Sequence, residues 1–301
     1  YAYLKIAEGC DKHCTYCIIP SLRGKFRSVP EERLLKQAEY MASQGVKELI
    51  LVAQETTVYG TDLYGKKTLH ILLKKLCQIK GIRWIRILYC YPEEIYDELI
   101  QVMKEEKKIC HYLDLPIQHA SDRILRRMGR RTSKAQLVDI ITKLRREIPD
   151  IVLRTSLITG FPGETEEDHQ ELMEFVDEME FDRLGVFTYS PEEGTPAETM
   201  EGQVPEELKE ERRDEIMELQ QEISLEKGND RIGQELLVMI EGKVSGESAY
   251  IGRTYGDAPK VDGYMFVQTG ELLVTGDFAK VKVTGALEYD LIGELADEYA
   301  E

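Results

Sequence analysis

From residue 3 to about residue 189, short runs of apolar and β-branched residues alternate with longer stretches whose apolar positions recur every three or four residues. Runs of four to eight such residues indicate buried strands, and apolar residues three and four apart indicate helices with one buried face. Six strands are predicted in this way, at residues 4–7, 48–53, 84–88, 112–115, 152–158 and 183–187. Strands that alternate with helices usually form a parallel sheet, so the pattern predicts an α/β fold.

The gaps between these strands contain five predicted helices, at residues 30–44, 68–79, 92–106, 133–147 and 165–179. The first begins at Pro30 and ends before Gly45, and the last begins at Thr165 followed by acidic residues, which are common start and stop signals. Six strand–helix units predict an open, partial (β/α)6 barrel similar to a TIM barrel. Its functional loops should follow the carboxyl ends of the strands.

The pattern changes after Pro196. A highly charged helix is predicted over residues 205–227, followed by short strands at 235–240, 264–268 and 279–284 that are separated by glycine-rich turns. Several short strands without helices predict a small, all-β barrel. We therefore expect a core domain at residues 1–203, a connecting helix at 204–229 and a β-barrel at 230–301.

The composition argues against a membrane protein, a nucleic-acid-binding protein and a disulfide-rich protein. The 301-residue chain has 42% hydrophobic residues, 32% charged residues and a formal net charge of −17, and no apolar run is long enough to cross a membrane. The negative charge opposes nucleic-acid phosphates and favours basic or neutral partners. Six cysteines, three of them within eight positions, do not form a disulfide framework, which predicts a reducing, cytoplasmic location.

The three clustered cysteines, Cys10, Cys14 and Cys17, directly follow the first predicted strand and so lie at the expected functional edge. Three thiolates are one ligand short of a saturated [4Fe–4S] cluster, which leaves one iron open to an external ligand. The spacing alone also fits the buried face of a short helix, but Gly9 and Pro20 interrupt such a helix. A zinc site that includes His13 is a further alternative, although His13 directly adjoins Cys14.

The Cys-x₃-Cys-x₂-Cys spacing, with Tyr16 before the last cysteine, resembles the radical S-adenosylmethionine (SAM) superfamily. The resemblance extends over about residues 3–190. It implies a [4Fe–4S] cluster held by the three cysteines, with SAM on the open iron and Tyr16 at the cofactor. It also implies that one electron, from a cellular donor, cleaves SAM to a 5′-deoxyadenosyl radical.

Polar residues after two other strands resemble the superfamily's SAM-binding motifs. Gln54 and Glu55 follow the second strand and resemble the pair that binds the methionine amino group. Gln118, His119 and Ser121 follow the fourth strand and resemble the segment that contacts the ribose. Polar residues end many strands, so each match gains weight from lying at the same edge as the cysteines.

The stretch from Ser156 to Glu164 resembles the fifth-strand motif whose backbone lies along the adenine, with Ser156, Ile158 and Gly160 as the implied contacts. Many members have glycine where this chain has Ser156. The same stretch also fits a strand-to-helix turn, since Gly160 and Gly163 provide backbone freedom and Glu164 suits a helix N-terminus.

Within the superfamily, residues 17–24, 118–125 and 160–165 resemble the methylthiotransferases, and the C-terminal barrel resembles their TRAM domain. One branch modifies an isopentenyladenosine of transfer RNA, and another the β-carbon of an aspartate in ribosomal protein S12. Residues 118–120 and 257–263 resemble the ribosomal-protein branch. Residues 231–301 contain six Lys and Arg against thirteen Asp and Glu, which suits a basic protein partner. The transfer-RNA branch, and an iron–sulfur protein without radical chemistry, remain alternatives.

A run of basic residues argues against a protein substrate, because its positive side chains could bind the phosphates of RNA. It consists of Arg123, Arg126, Arg127, Arg130, Arg131 and Lys134. Acidic neighbours and the lack of aromatic stacking partners favour a solvated helix face, and a contact with ribosomal RNA is the alternative.

The remaining cysteines, Cys77, Cys90 and Cys110, are expected to be buried thiols, and for Cys90, which follows the third strand at the functional edge, a substrate-side role is the alternative. No residue is assigned as a general base. The resemblance implies a second [4Fe–4S] cluster in a separate N-terminal domain. Because the sequence starts at Tyr1, directly before the first predicted strand, we expect that domain to precede this chain.

Overall fold

The structure is a computed structural model that describes residues Tyr1–Ala296. The chain divides into two compact units, Tyr1–Leu219 and Gln220–Glu301. None of the helices within Tyr1–Ala296 has the length and apolar character of a membrane span.

The first unit is built on a parallel sheet. Its strands are β1 (Ala2–Lys5), β2 (Ala7–Glu8), β3 (Arg27–Ser28), β4 (Glu48–Val52), β5 (Trp84–Ile87), β6 (Ile109–Asp114), β7 (Val152–Thr159) and β8 (Arg183–Thr188). Six of them form one sheet in the order β1-β4-β5-β6-β7-β8, with every neighbouring pair parallel, while β2 and β3 form a separate antiparallel pair. The predicted α/β fold with a six-stranded partial barrel is confirmed.

Helices connect successive strands, as the pattern predicted. They are α1 (Ile19–Arg23), α2 (Glu31–Ser43), α3 (Thr61–Tyr64), α4 (Leu69–Cys77), α5 (Asp97–Glu105), α6 (Asp122–Arg127), α7 (Lys134–Glu147), α8 (Glu166–Met179) and α9 (Glu206–Asn229). Ser133 and Thr165 begin α7 and α8 with capping boxes, in which each side chain accepts the backbone N–H three residues later.

The predicted helix at residues 92–106 is wrong in its first turn. A 3₁₀ helix covers Pro92–Glu94, Ile95 and Tyr96 are extended, and α5 begins only at Asp97. A continuous helix would use the carbonyl of Glu94 to accept the N–H four residues later. Lys67 Nζ donates to that carbonyl instead, at 2.8 Å.

Strand β7 shows how the fold presents side chains. Leu153, Thr155 and Leu157 are completely buried, whereas Ser156 and Ile158 alternate with them and are only partly buried. Successive residues of a strand point to opposite faces, so Ser156 and Ile158 share the more accessible face of the sheet.

The second unit contains a closed β-barrel, as predicted. Its strands are β9 (Glu235–Lys243), β10 (Ala249–Arg253), β11 (Met265–Gln268), β12 (Phe278–Ala286) and β13 (Leu291–Leu295), in the order β10-β11-β13-β12-β9. The pattern missed β10 and β13, each of which contains a glycine that lowers strand propensity. In β10 the glycine is required by packing, because a Cβ on Gly252 would lie 2.4 Å from Val238 Cγ1.

Candidate active site

The cysteine loop leaves β2 at a glycine that no other residue replaces easily. Gly9 has a φ of +82°, and a Cβ there would lie 2.2 Å from the carbonyl oxygen of Lys25. Its N–H donates to Gln54 Oε1 at 2.9 Å, and the next N–H, of Cys10, donates to the carbonyl of Gly24 at 3.1 Å. These contacts close the base of the loop and bring Gln54, from the end of β4, to the first cysteine.

The three cysteines of the loop are free thiols. Cys10 and Cys14 are buried and Cys17 is partly buried. Burial raises the pKa of the Cys10 thiol to about 11; the N–H of Lys12 opposes this rise, and the nearby Cys14, Cys17 and Glu55 add to it. Burial likewise raises the pKa of Cys17. Such thiols need a strong local positive charge to ionise, and a coordinated metal supplies one.

The three thiols of the loop are a donor set that an iron–sulfur cluster can use. No group of three or more His, Cys, Asp or Glu side chains within Tyr1–Ala296 is arranged to hold a metal ion. An iron–sulfur cluster binds its thiolates through different iron atoms, so its ligands need not converge on one ion. The assignment of Cys10, Cys14 and Cys17 as metal ligands remains a prediction.

Glu55 is the most unusual carboxylate at this edge. It is 1% exposed, and its Oε1 accepts hydrogen bonds from the backbone N–H and the hydroxyl of Thr57. Its Oε2 is buried and has no hydrogen-bond partner in the described part of the chain. Burial raises the pKa of Glu55 to about 7, although Thr57, Lys12 and Tyr91 oppose the rise. An unsatisfied buried carboxylate oxygen is costly, which points to a donor that binds there.

Gln118 joins the segment after β6 to β7. It has a φ of +72°, its N–H donates to Ser156 O at 3.0 Å, and its carbonyl accepts the N–H of Ile158 at 2.8 Å. The structure therefore brings together three residues predicted from two separate motifs. His119 and Ser121 instead contact the turn and helix after β7: His119 Nε2 lies 3.4 Å from Glu164 Oε2, and Ser121 Oγ donates to Asp168 Oδ1 at 2.6 Å.

The turn after β7 packs against the cysteine loop. Gly160 has a φ of +68°, and its N–H donates to Glu164 Oε2 at 2.9 Å. The ring of Phe161 meets Tyr16 edge to face, with 6.3 Å between centroids, and meets Tyr189 at 5.2 Å. Ile158 packs against the same cluster. The glycine turn expected from the sequence is present, and Tyr16 and Ile158 pack against the cluster that contains Phe161, the residue after Gly160.

Family models match both parts of the chain. The radical SAM superfamily model matches residues 4–176, and a TRAM domain model matches residues 232–296. A ribosomal protein uS12 methylthiotransferase RimO from Lachnoclostridium phytofermentans is 66% identical over 293 residues, which cover 97% of this chain and 67% of the relative.

This chain belongs to the RimO family of the radical SAM superfamily.

Two other RimO proteins give the same result. The chain is 54% identical to that of Clostridium botulinum, over 100% of this chain and 67% of the relative, and 57% identical to that of Pelotomaculum thermopropionicum, over 97% and 66%. The chain thus spans about two thirds of the length of these RimO proteins.

Solved structures share the fold of this RimO-family chain at low sequence identity. The radical SAM methyltransferase TsrM from Kitasatospora setae superposes with a TM-score of 0.55 at 15% identity, over 65% of this chain and 38% of that one. Coproporphyrinogen III oxidase HemN from Escherichia coli gives 0.53 at 17% identity, over 93% and 66%.

The interpretation of the basic run as one solvated face is wrong for Arg130 in this RimO-family chain. Arg126 is exposed, but Arg130 is only 5% exposed and lies beyond the end of α6. Its Cζ lies 4.2 Å from the ring centroid of Tyr91, so an aromatic stacking partner is present after all. Tyr91 follows β5 at the functional edge, and its hydroxyl lies 3.4 Å from Cys14 Sγ. The sequence analysis did not name Tyr91 and included Arg130 only in the basic run, because only the fold brings the two residues together.

The cysteines outside the loop are buried as expected: Cys77 is 5% exposed, Cys90 0% and Cys110 2%. Cys90 Sγ lies 3.3 Å from the hydroxyl of Thr56, which gives it a packing role beside the site.

Proposed function

We propose that this chain is the catalytic part of a radical SAM methylthiotransferase that adds a methylthio group to the β-carbon of an aspartate in ribosomal protein uS12. The observation that carries the proposal is the loop of three free, largely buried cysteines at the carboxyl edge of a parallel sheet. High identity to relatives named as uS12 methylthiotransferases supports the substrate.

In this proposal Cys10, Cys14 and Cys17 hold a [4Fe–4S] cluster and leave one iron for SAM. When bound and reduced, the cluster and SAM supply a carbon radical that removes a hydrogen atom from an unactivated C–H bond. The protein binds and orients SAM and the substrate, and it excludes water from them. The buried positions of Cys10 and Cys14 and the apolar Phe161 support that role.

The SAM-contacting residues follow from the strand ends. Glu55 Oε2, buried and without a partner in the described residues, suits the ammonium group of the methionine moiety, with Gln54 beside it. Ser156, Ile158 and Gly160 offer backbone and apolar surface for the adenine, next to Tyr16.

We place the ribose near Gln118. His119 and Ser121 support that segment through Glu164 and Asp168, since their polar atoms already face those two carboxylates.

A basic protein substrate suits the charge of the chain. The C-terminal barrel region has an excess of seven negative charges, which attracts a ribosomal protein and opposes RNA. Exposed arginines such as Arg123 and Arg126 are the candidates for a ribosomal RNA contact. Free cysteines throughout the described chain accord with a reducing, cytoplasmic location and a cellular electron donor.

Sulfur insertion needs more than these residues. Cys77, Cys90 and Cys110 lie in separate elements and do not form a second cysteine loop. We therefore assign the sulfur to a second [4Fe–4S] cluster held by residues outside this sequence.

We also propose a functional division of the chain into a core at residues 1–203, a connecting helix at 204–229 and a TRAM barrel at 230–301.

The test uses the chain after anaerobic reconstitution with iron and sulfide. With dithionite and SAM we expect 5′-deoxyadenosine but no methylthiolated product, while the full-length enzyme should also methylthiolate uS12. An intact cluster that produces no 5′-deoxyadenosine would favour an electron-transfer protein and overturn the proposal. Methylthiolation of transfer RNA instead of uS12, measured by mass spectrometry of both products, would favour the other branch.

A further inference from the structure

Arg130 is a buried cation whose charge the protein neutralises only in part. Its side chain is 1% exposed, Nη2 donates to Pro116 O at 3.1 Å, and the same nitrogen lies 3.6 Å from Glu93 Oε2. Nε and Nη1 are buried without a hydrogen-bond partner within Tyr1–Ala296. A buried charge with incomplete pairing is strongly unfavourable unless another group of opposite charge lies near it.

The surroundings of Arg130 lead directly to the cysteine loop. Its guanidinium stacks on Tyr91, and the Tyr91 hydroxyl lies 3.4 Å from Cys14 Sγ. The turn that precedes Arg130 also binds the cysteine loop, because Thr15 N–H donates to Met128 O at 2.9 Å and Thr15 Oγ1 donates to Arg127 O at 2.7 Å. Arg130 therefore lies over the ring of Tyr91 and Cys14 lies at its hydroxyl group, and contacts between two chain segments hold this arrangement.

Lys12 is a second cation near Tyr91, and it differs from Arg130 in its ion pairing and its exposure. Lys12 Nζ lies 5.0 Å from the ring centroid, but it forms an ion pair with Glu94, which also pairs with Lys67 at 2.8 Å. The side chain of Lys12 is 20% exposed. Solvent and Glu94 screen Lys12, whereas Arg130 is shielded from water and faces Glu93 only at 3.6 Å.

We infer that Arg130, acting through Tyr91, is a positioning residue that raises the reduction potential of the cluster held by Cys10, Cys14 and Cys17. The inference rests on the proposed function only in assigning the cluster to these cysteines. Reduction adds one electron from a reductant and makes the cluster one unit more negative, with no bond broken. A fixed positive charge in a poorly solvated region stabilises the reduced form more than the oxidised form.

The experiment measures the cluster potential in the reconstituted chain by a dithionite titration followed by electron paramagnetic resonance. In Arg130→Gln we expect the ratio of reduced to oxidised cluster at a fixed potential to fall about tenfold, a shift of about 59 mV to lower potential for one electron. Arg130→Lys keeps the charge and should remain close to the wild type. Arg126→Gln removes the same charge from an exposed position and is the matched control.

A second variant tests the inference where Arg130→Gln fails to bind a cluster. Glu93→Gln removes the negative charge nearest to Arg130, so the potential should shift upward. An unchanged potential in both Arg130→Gln and Glu93→Gln, or an equal shift in Arg126→Gln, overturns the inference. If Arg130→Gln binds no cluster, an unchanged or lowered potential in Glu93→Gln is sufficient by itself to overturn the inference.

The potential of the cluster is measured without SAM or substrate, so this result is independent of whether uS12 is modified. Failure of the wild type to produce 5′-deoxyadenosine would count against the proposed function and leave the potential measurement interpretable.

Discussion

The Nε2 atom of His119 lies 3.4 Å from Oε2 of Glu164, and neither side chain is exposed. The same carboxylate accepts the N–H of Gly160 and forms an ion pair with Arg212 at 2.8 Å. Burial alone would raise the pKa of Glu164, but His119, Gly160 and Arg212 outweigh it and hold that pKa below its ordinary value. Glu164 thus connects the strand end at residues 118–121 to the turn at 160–164.

Removing this carboxylate should destabilise the first unit. We expect Glu164→Ala to lower the free energy of unfolding by about 3–5 kcal/mol, because it leaves Arg212 buried without its closest partner. Glu166→Ala is the matched control, since Glu166 also contacts Arg212, at 3.3 Å, but is 73% exposed; its effect should stay within about 1 kcal/mol. Urea denaturation measures both, and equal effects would contradict the assigned importance of burial.

The glycine at the base of the cysteine loop should not accept a side chain. Gly9→Ala adds about 1–2 kcal/mol of backbone strain and about 1–3 kcal/mol of overpacking against Lys25, so we expect lower stability and less cluster after reconstitution. Gly45 has a similar φ of +87° but no atom within 4 Å of its Cβ position. Gly45→Ala should therefore show only the strain and retain full iron content. Normal iron content in Gly9→Ala would disprove the close-approach argument.

The predicted ligands should differ from the other buried cysteines in metal content. We expect Cys10→Ala, Cys14→Ala and Cys17→Ala each to lose most iron and sulfide after anaerobic reconstitution. Cys77→Ala removes an equally buried thiol from α4 and should keep the cluster. Chemical iron and sulfide assays with absorption spectra provide the measurement. Full iron retention in the loop variants would remove them from the ligand set.

Glu55 should contribute to SAM binding through its unsatisfied oxygen. Glu55→Gln loses a charge-assisted hydrogen bond worth about 1.5–3 kcal/mol, so the Kd for SAM should rise about 10- to 100-fold. Glu31→Gln makes the same chemical change in a surface ion pair with Lys75 and should leave the Kd unchanged. Calorimetric titration of the reconstituted protein distinguishes them. An unchanged Kd in Glu55→Gln would show that Oε2 does not contact SAM.

Much of this fold follows from local sequence. The six strands of the sheet were predicted because each is a short apolar run between helices, and capping residues such as Ser133 and Thr165 located the starts of their helices. Prediction failed where contacts lie far apart in sequence: in the interrupted turn, the carbonyl of Glu94 accepts a hydrogen bond from Lys67, 27 residues away along the chain. The strand β10 was not predicted because it contains Gly252, a residue type that is unfavourable in strands. The glycine is needed there because it packs closely against Val238 of the neighbouring strand.

The candidate site likewise has features that follow from local sequence and features that depend on the fold. The sequence by itself determined the cysteine spacing, its position after the first strand and the glycine turn at residues 160–163, since all of these depend on neighbours along the chain. Only the tertiary structure decided which polar groups are buried, paired or left unsatisfied, as at Glu55 and Arg130. Burial depends on contacts between residues far apart in sequence, so a basic run looked like one solvated face until the fold placed Arg130 beside Tyr91.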